Sequence, residues 1–121
     1  MLARRLLTRS VLILAVAGLL GLVAGEALAG GHTVKATSGN AWNPAKTTVT
    51  RGAKVTWSNP TYQDHPIVAY GGNWSFSKSL PHGGSVSRTF NSAGTFKFRC
   101  TLHSYMSGGV CHGMCGRVVV Q

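Results

Sequence analysis

The residues of this sequence that could carry chemistry are concentrated near its end, where sulfur and imidazole side chains follow one another closely. Cys100 is followed by His103 in a C-x2-H spacing, and Met106 and Met114 come within the next 11 residues. Thiolate and thioether sulfur favour Cu(I), whereas imidazole serves both oxidation states, so this mixture suits copper better than other common metals. A fourth ligand must come from elsewhere in the chain, and His65 is the candidate.

A zinc site is the main alternative for the same stretch. The donor types of a tetrahedral Cys3His site are present in Cys100, His103, Cys111 and Cys115. Export would oppose this alternative, because unpaired thiols tend to oxidise outside the cytoplasm before a metal arrives. It would also leave His65 without a role. His112 could join either set, although an exposed loop histidine is its simpler interpretation.

The first 29 residues have the features of an export signal. Basic residues come first (Arg4, Arg5 and Arg9), and the apolar run from Val11 to Ala24 has 14 residues, fewer than the ~20 of a membrane span. Ala27-Leu28-Ala29 then supplies a small-x-small cleavage site. We therefore expect a cleavable signal peptide at 1–29 and a domain at 30–121 that is periplasmic or extracellular. An uncleaved signal would tether the domain to the membrane, and the adjacent arginines leave Sec and twin-arginine export both open.

Beyond residue 30 the sequence predicts β-strands and no helix. Alternating or β-branched stretches recur about every ten residues, with Gly, Asn or Pro between them, and no window has a helix start signal. This pattern indicates an all-β sandwich or small barrel. The predicted strands are 32–37, 47–50, 54–58, 67–70, 74–76, 85–90, 95–100 and 118–120.

The expected mature part is strongly basic. Nine Lys and Arg residues stand against Asp64 as the one carboxylate of 30–121, which gives a net charge of +8. Such a field speeds encounters with acidic partners and is weakened by salt. The cations are spread singly along predicted strands without a basic helix, which argues against nucleic acid as a partner. A single carboxylate also excludes hydrolysis by paired carboxylates.

Four segments carry a resemblance to a known family: RGAKVTWSNPTYQDHPIV (51–68), GGSVSRTF (83–90), AGTFKFRCTLH (93–103) and MCGRVVV (114–120). They resemble the cupredoxins of the plastocyanin and amicyanin type, and with weaker matches near the start they span essentially the whole mature part. The resemblance implies a Greek-key β-sandwich of about seven to eight strands that binds one type 1 copper ion. It also implies a monomeric carrier of single electrons between redox partner proteins, and not an enzyme.

The resemblance assigns roles to individual residues. By position, His65, Cys100 and His103 are the equatorial copper ligands, and His103 is the port through which electrons pass. The axial ligand has two candidates, because about eight residues are inserted where the family has one methionine. Met106 keeps the spacing to His103, whereas Met114 keeps the spacing to the last strand. Met114 is preferred, because an adjoining strand fixes where a side chain points.

The insertion contains two cysteines, Cys111 and Cys115. In an oxidising compartment we expect them to form a disulfide with each other. Closing so short a loop would stabilise the fold by about 2 kcal/mol in the chain-entropy model. The bridge would also stiffen the loop that presents Met114.

Two further possibilities concern copper. Cleavage after Ala29 would create the amino terminus Gly30-Gly31-His32, whose amine, amides and imidazole can enclose Cu(II) in a square plane. A plain signal junction followed by a strand is the simpler interpretation of this segment. With the same four main ligands, the domain could also carry or scavenge copper without cycling its oxidation state.

Overall fold

Alternating apolar and polar residues form the strands of the computed structural model, which describes residues 31–121. The predicted signal peptide lies outside this range. No helix occurs between residues 31 and 121, and therefore none that could cross a membrane. The all-β prediction is thus confirmed. The strands are β1 (His32–Ala36), β2 (Trp42–Asn43), β3 (Lys46–Val49), β4 (Ala53–Ser58), β5 (Ile67–Tyr70), β6 (Ser77–Lys78), β7 (Ser85–Phe90), β8 (Gly94–Ser107) and β9 (Val110–Val120).

Two sheets face each other across one apolar core. The first has the order β2-β1-β4-β7 and the second the order β3-β9-β8-β5-β6. Within β4, Ala53, Val55 and Trp57 are fully buried, and Lys54 between Ala53 and Val55 is exposed, as the period of two requires. The Trp57 ring meets Phe98 of the second sheet edge to face, with 5.2 Å between the ring centroids. Burying a side chain such as Phe98 contributes roughly 1.5–3 kcal/mol.

The strand count is nine in residues 31–121, slightly above the predicted seven to eight. The difference arises from β2 and β6, which have two residues each. Trp42-Asn43 lies outside the predicted strands, but it pairs with β1 through Ala36 and Lys35. A pairing of two residues is too short to leave a periodic signal in the sequence.

The strand predicted at 74–76 is wrong. Trp74 and Phe76 lie in an irregular segment before β6, and their rings stack with centroids 5.4 Å apart. The Trp74 ring also packs on Phe90 and Phe96, and its Nε1 donates a hydrogen bond to the carbonyl of Lys97 at 2.9 Å. The alternation in the sequence therefore reflects two rings that pack on one aromatic cluster.

The largest difference from prediction lies at the end of the chain. The stretch expected to be a loop continues β8 and β9 into a long hairpin that turns at Gly108 and Gly109, which both have positive φ. The ladder is interrupted once, because Arg99 pairs with Cys115 and Ser104 pairs with Gly113. The four residues 100–103 therefore stand opposite a single residue of β9. Bulges of this kind often lie beside functional sites.

Candidate metal centre

Cys100 and His103 stand at the two ends of the bulge in β8. Cys100 pairs with Ile67 of β5 and is fully buried, whereas His103 is half-buried. The Ser104 hydroxyl donates a hydrogen bond to the Cys100 carbonyl, and Arg99 donates one to the Ser104 hydroxyl at 3.2 Å. These two hydrogen bonds link the residues on either side of the bulge and fix its backbone. The side chains of Cys100 and His103 are thereby held on the same side of the strand.

His65 is positioned by a hydrogen-bond network that begins at Asn59. The buried Asn59 amide donates to the carbonyls of Gln63 at 2.7 Å and Leu80 at 2.9 Å. Its Oδ1 accepts from the hydroxyl of Thr61 at 2.7 Å and from the Thr61 amide at 3.0 Å. The His65 amide donates to the Leu80 carbonyl at 3.0 Å. Every polar atom of the Asn59 side chain is thus used to fix the loop that carries His65.

The same network decides which nitrogen of His65 carries the proton. The Thr61 hydroxyl has two acceptors for its own proton, Asn59 Oδ1 and the Gln63 carbonyl. Towards His65 Nε2, at 2.9 Å, the hydroxyl oxygen must therefore accept a hydrogen bond. Because Nε2 is then protonated, Nδ1 of the neutral ring keeps a free lone pair. A partner of this kind on the outer nitrogen is common for histidine ligands of metals.

The three side chains converge on one point. His65 Nδ1 lies 3.7 Å from Cys100 Sγ, and His103 Nδ1 lies 3.4 Å from it. All three donor atoms lie within 4.8 Å of one another, and no other cluster of three or more His, Cys, Asp or Glu occurs between residues 31 and 121. Donors that each bind one ion at ~2.0–2.3 Å are separated by similar distances. The cluster therefore fits a single metal ion.

Burial controls the charge of this cluster. Removal from water lowers the pKa of His65 below its ordinary value, and the neighbouring His103 lowers this pKa further. Asp64 opposes the shift, but this carboxylate is exposed. His65, which is 0% exposed, is therefore neutral at neutral pH, the state in which imidazole can bind a metal.

The two methionines lie in different surroundings. Met114 is fully buried and is the residue of β9 that faces the bulge, and its carbonyl accepts a hydrogen bond from Trp42 Nε1 at 3.1 Å. The Trp42 ring contacts both Phe98 and His65 edge to face, which links Met114 to the core. Met106 is 39% exposed and pairs with Cys111 in the outer hairpin. Only Met114 has the burial expected of a ligand.

The predicted disulfide between Cys111 and Cys115 is formed. Cys100 is then the free thiol among residues 31–121. A Cys3His zinc site built from these three cysteines is therefore wrong, because two of its thiols are consumed by the bridge. His112 stacks on Tyr105 in the exposed hairpin with centroids 4.9 Å apart, outside the cluster.

The other two histidines of residues 31–121, His82 and His32, do not belong to the cluster. His82 is exposed, stacks on Tyr62 and bonds to the Thr61 carbonyl through Nδ1. His32 opens β1, and the possible second copper site that includes it begins at Gly30, outside the described residues. This second site stays a prediction.

Several residues that shape the site were not identified from the sequence. They are Asn59, Thr61, Trp42 and Gly113, none of which belongs to the donor set that the sequence predicts. Trp42 reaches Met114 across 72 residues, whereas Thr61 bonds to Asn59 and to His65 over two and four residues within one irregular loop. The one local signal is the Asn-Pro-Thr turn directly after a strand, where short polar side chains commonly bond to nearby backbone.

Comparison with known proteins gives similarity in structure alone. No protein-family profile matches the chain, and no curated protein matches it. Among solved structures, a reduced amicyanin variant is 24% identical over 75% of this chain and 82% of its own, with a TM-score of 0.62. A purple cupredoxin from Nitrosopumilus maritimus is 20% identical over 74% and 99%, with a TM-score of 0.59.

A larger protein shares the same fold in one part. A copper-containing nitrite reductase from Thermus scotoductus is 22% identical over 75% of this chain but only 22% of its own, with a TM-score of 0.62. At these levels of identity, the comparisons show that the chain has the cupredoxin fold. The predicted cupredoxin-like sandwich is thereby confirmed.

Proposed function

We propose that this chain is an exported type 1 copper protein that transfers single electrons between redox partners. The observation that carries the proposal is the convergence of Cys100 Sγ with the Nδ1 atoms of His65 and His103. The fold supports it, since amicyanin, which has a similar structure, is described in a reduced Cu(I) form and in an oxidised form. Two imidazoles, one thiolate and a thioether form the donor set of blue-copper electron-transfer sites.

Four residues would hold the metal: His65, Cys100 and His103 as equatorial ligands and Met114 as the weak axial ligand. Copper bound there supplies a one-electron Cu(I)/Cu(II) couple. The chain contributes rigidity, because Cys100 pairs with Ile67 of β5 and Met114 lies between two residues of β9 that pair with β8. The Asn59 network fixes the loop that carries His65. Donors that do not move between oxidation states make electron exchange fast, since little reorganisation is needed.

His103 is the proposed electron port. It is the half-buried member of a cluster whose other two equatorial residues, His65 and Cys100, are 0% exposed. The adjacent Leu102 is 63% exposed and offers an apolar contact beside it. A partner can therefore approach the imidazole of His103 closely without opening the core.

Titration of the purified domain with Cu(II), followed by voltammetry, tests this function against copper carriage. An electron carrier is expected to bind one copper ion, absorb strongly in the visible region and give a reversible couple. A carrier or scavenger would release Cu(I) readily to a competing chelator and lack the reversible couple. A domain that binds no copper in this titration would refute both functions.

Exchange of the methionines distinguishes the two axial candidates. Met114→Leu is expected to shift the reduction potential by about 60 mV or more, which corresponds to a tenfold change in relative affinity for the two oxidation states. Met106→Leu, an equal change at an exposed position, should leave the potential nearly unchanged. Voltammetry of the two variants provides the measurement. A larger shift for Met106→Leu would move the axial role to that residue.

The proposed redox partner is a protein with an acidic surface. This proposal is supported by the net charge of residues 30–121, which is +8 because Asp64 is their one side-chain carboxylate. Electron transfer to the natural partner should slow as salt is raised, by tenfold or more between about 10 and 200 mM, because screening removes long-range attraction. Stopped-flow kinetics across that range measures the effect. A rate independent of salt would contradict an acidic partner.

Export, the domain boundary and the monomeric state complete the proposal. The bridge between Cys111 and Cys115 supports an oxidising compartment. In this scheme 1–29 is removed as a signal peptide and 30–121 acts as a monomeric electron carrier, not an enzyme. The protein contacts the membrane only during export, through the signal peptide.

A further inference from the structure

We infer that the outer face of the five-stranded sheet contains a binding pocket for a small multivalent oxyanion of the phosphate class, held by Lys46, Lys97 and Arg117. The pocket is separate from the copper cluster and uses none of its donor atoms. The inference therefore does not depend on the proposed function.

The three cations lie side by side across three neighbouring strands. Arg117 of β9 is directly opposite Lys46 of β3 on one side and Lys97 of β8 on the other. All three are exposed, whereas their chain neighbours Phe98 and Val118 are fully buried, so the three side chains share the outer face. Since adjacent strands are ~4.8 Å apart, the row spans only about 10 Å.

The end of the hairpin forms a roof over this row. Cys115 lies on the same outer face, because its neighbours Met114 and Gly116 are buried. Its disulfide to Cys111 draws the tip of the hairpin back over the sheet. Val110 and Gly109 of the tip consequently line the same cavity as the three cations. The cavity has a volume of about 420 Å³.

Tyr70 forms the remaining wall of the pocket. It is the cross-strand partner of Lys97, whose Nζ lies 6.0 Å from the centre of the Tyr70 ring. Its phenol adds a neutral donor beside the three cations. The lining therefore combines positive charge, a hydroxyl and a rigid disulfide, and it contains no acidic residue.

Without a counter-ion, repulsion among the three cations destabilises the fold. Like charges directly opposite each other in a sheet are destabilising, and here two such pairs share Arg117. No neighbouring carboxylate offsets them, because Asp64, the one side-chain carboxylate of residues 31–121, does not line the cavity. A bound oxyanion would relieve the repulsion and accept hydrogen bonds from the guanidinium fork and both ammonium groups.

The shape of the pocket favours a small anion over a protein surface. Gly109, Val110 and Cys111 line one side of the cavity that the three cations share, which makes the surface there concave and not flat. A compact anion such as phosphate or pyrophosphate can contact all three cations within a cavity of about 420 Å³. Clustered basic side chains with convergent donors are the usual recognition chemistry for phosphate groups.

Titration calorimetry of the protein as purified, with inorganic pyrophosphate as the probe and chloride of equal ionic strength as the reference, tests the inference. We expect saturable binding of one anion, weakened about tenfold by Lys97→Gln and by Arg117→Gln, since each removes charge-assisted hydrogen bonds. Lys54→Gln, the same type of change at an exposed position of β4 in the other sheet, should weaken binding less than about twofold.

Three results would overturn the inference. Equal weakening by all three variants would indicate general attraction to a basic protein, with no specific pocket. Binding no stronger than that of chloride at the same ionic strength would remove the site. Tighter binding of a hexaglutamate peptide than of pyrophosphate would assign this surface to an acidic protein. Amide chemical shifts that change at 46, 97, 109–111 and 117 upon titration would support the pocket.

Discussion

Cys100→Ser is expected to abolish the strong visible absorption of the copper-loaded protein. The band requires charge transfer from a thiolate to copper, and Cys100 provides the free thiol among residues 31–121. The metal-free protein should lose little stability, because a serine hydroxyl at this buried position can donate a hydrogen bond to the free Nδ1 of His65. Spectra recorded during Cu(II) titration, with thermal unfolding of the metal-free protein, measure both effects.

A double variant provides the control for this experiment. Cys111→Ser with Cys115→Ser removes the disulfide and leaves Cys100 as the only cysteine in the chain. The visible band should persist in this variant, although the loss of the bridge lowers stability. If the double variant lost the band and Cys100→Ser retained it, the copper site would have to be assigned to the hairpin cysteines.

Gly113→Ala is expected to destabilise the fold by about 2–4 kcal/mol and to weaken copper binding. Gly113 has a φ of 94°, where side chains are strained, and an added Cβ would overlap the carbonyl oxygen of His103. The same Cβ would lie 3.2 Å from the Ser104 Cα. Because both contacts are with backbone, the bulge that carries His103 must shift. Denaturant unfolding and copper affinity measure the two consequences.

Gly109→Ala separates the strain of the backbone from the contact with the bulge. Gly109 has a φ of 76°, close to that of Gly113, but an added Cβ there meets nothing within 4 Å. We expect a loss of about 1 kcal/mol with copper binding retained. Equal losses in both variants would show that the contact with His103 is unimportant.

Much of the fold was predictable, because the alternation or β-branched composition that indicates a strand is contained within a few residues. The alternation in β4 and the β-branched residues of β3 indicated strands that the structure contains. The outer hairpin has no such signal in the sequence, since this segment is rich in Ser and Gly and is mostly exposed on both faces. The two strands of the outer hairpin pair because they continue the ladder between β8 and β9, and the disulfide constrains the end of the hairpin. Neither effect depends on alternation of apolar and polar residues.

The site was predictable in type but not in assembly. The spacing of Cys100 and His103 indicated a soft metal, and the spacing of Met114 to the last strand favoured it over Met106 without excluding Met106. Burial separates them, with 0% of Met114 and 39% of Met106 exposed. The tautomer of His65 depends on a network through Thr61 and Asn59, whose donors and acceptors must be placed in space before they can be counted.

Short segments therefore established the all-β class, the donor types and the basic charge, since alternation, composition and close spacing are local properties. Folding alone brought His65 within reach of Cys100, 35 residues away, and placed Lys46, Arg117 and Lys97 in one row. Both outcomes depend on the register between strands far apart in the chain. A slip of one residue in any of the three strands would turn its cation, Lys46, Arg117 or Lys97, to the opposite face of the sheet.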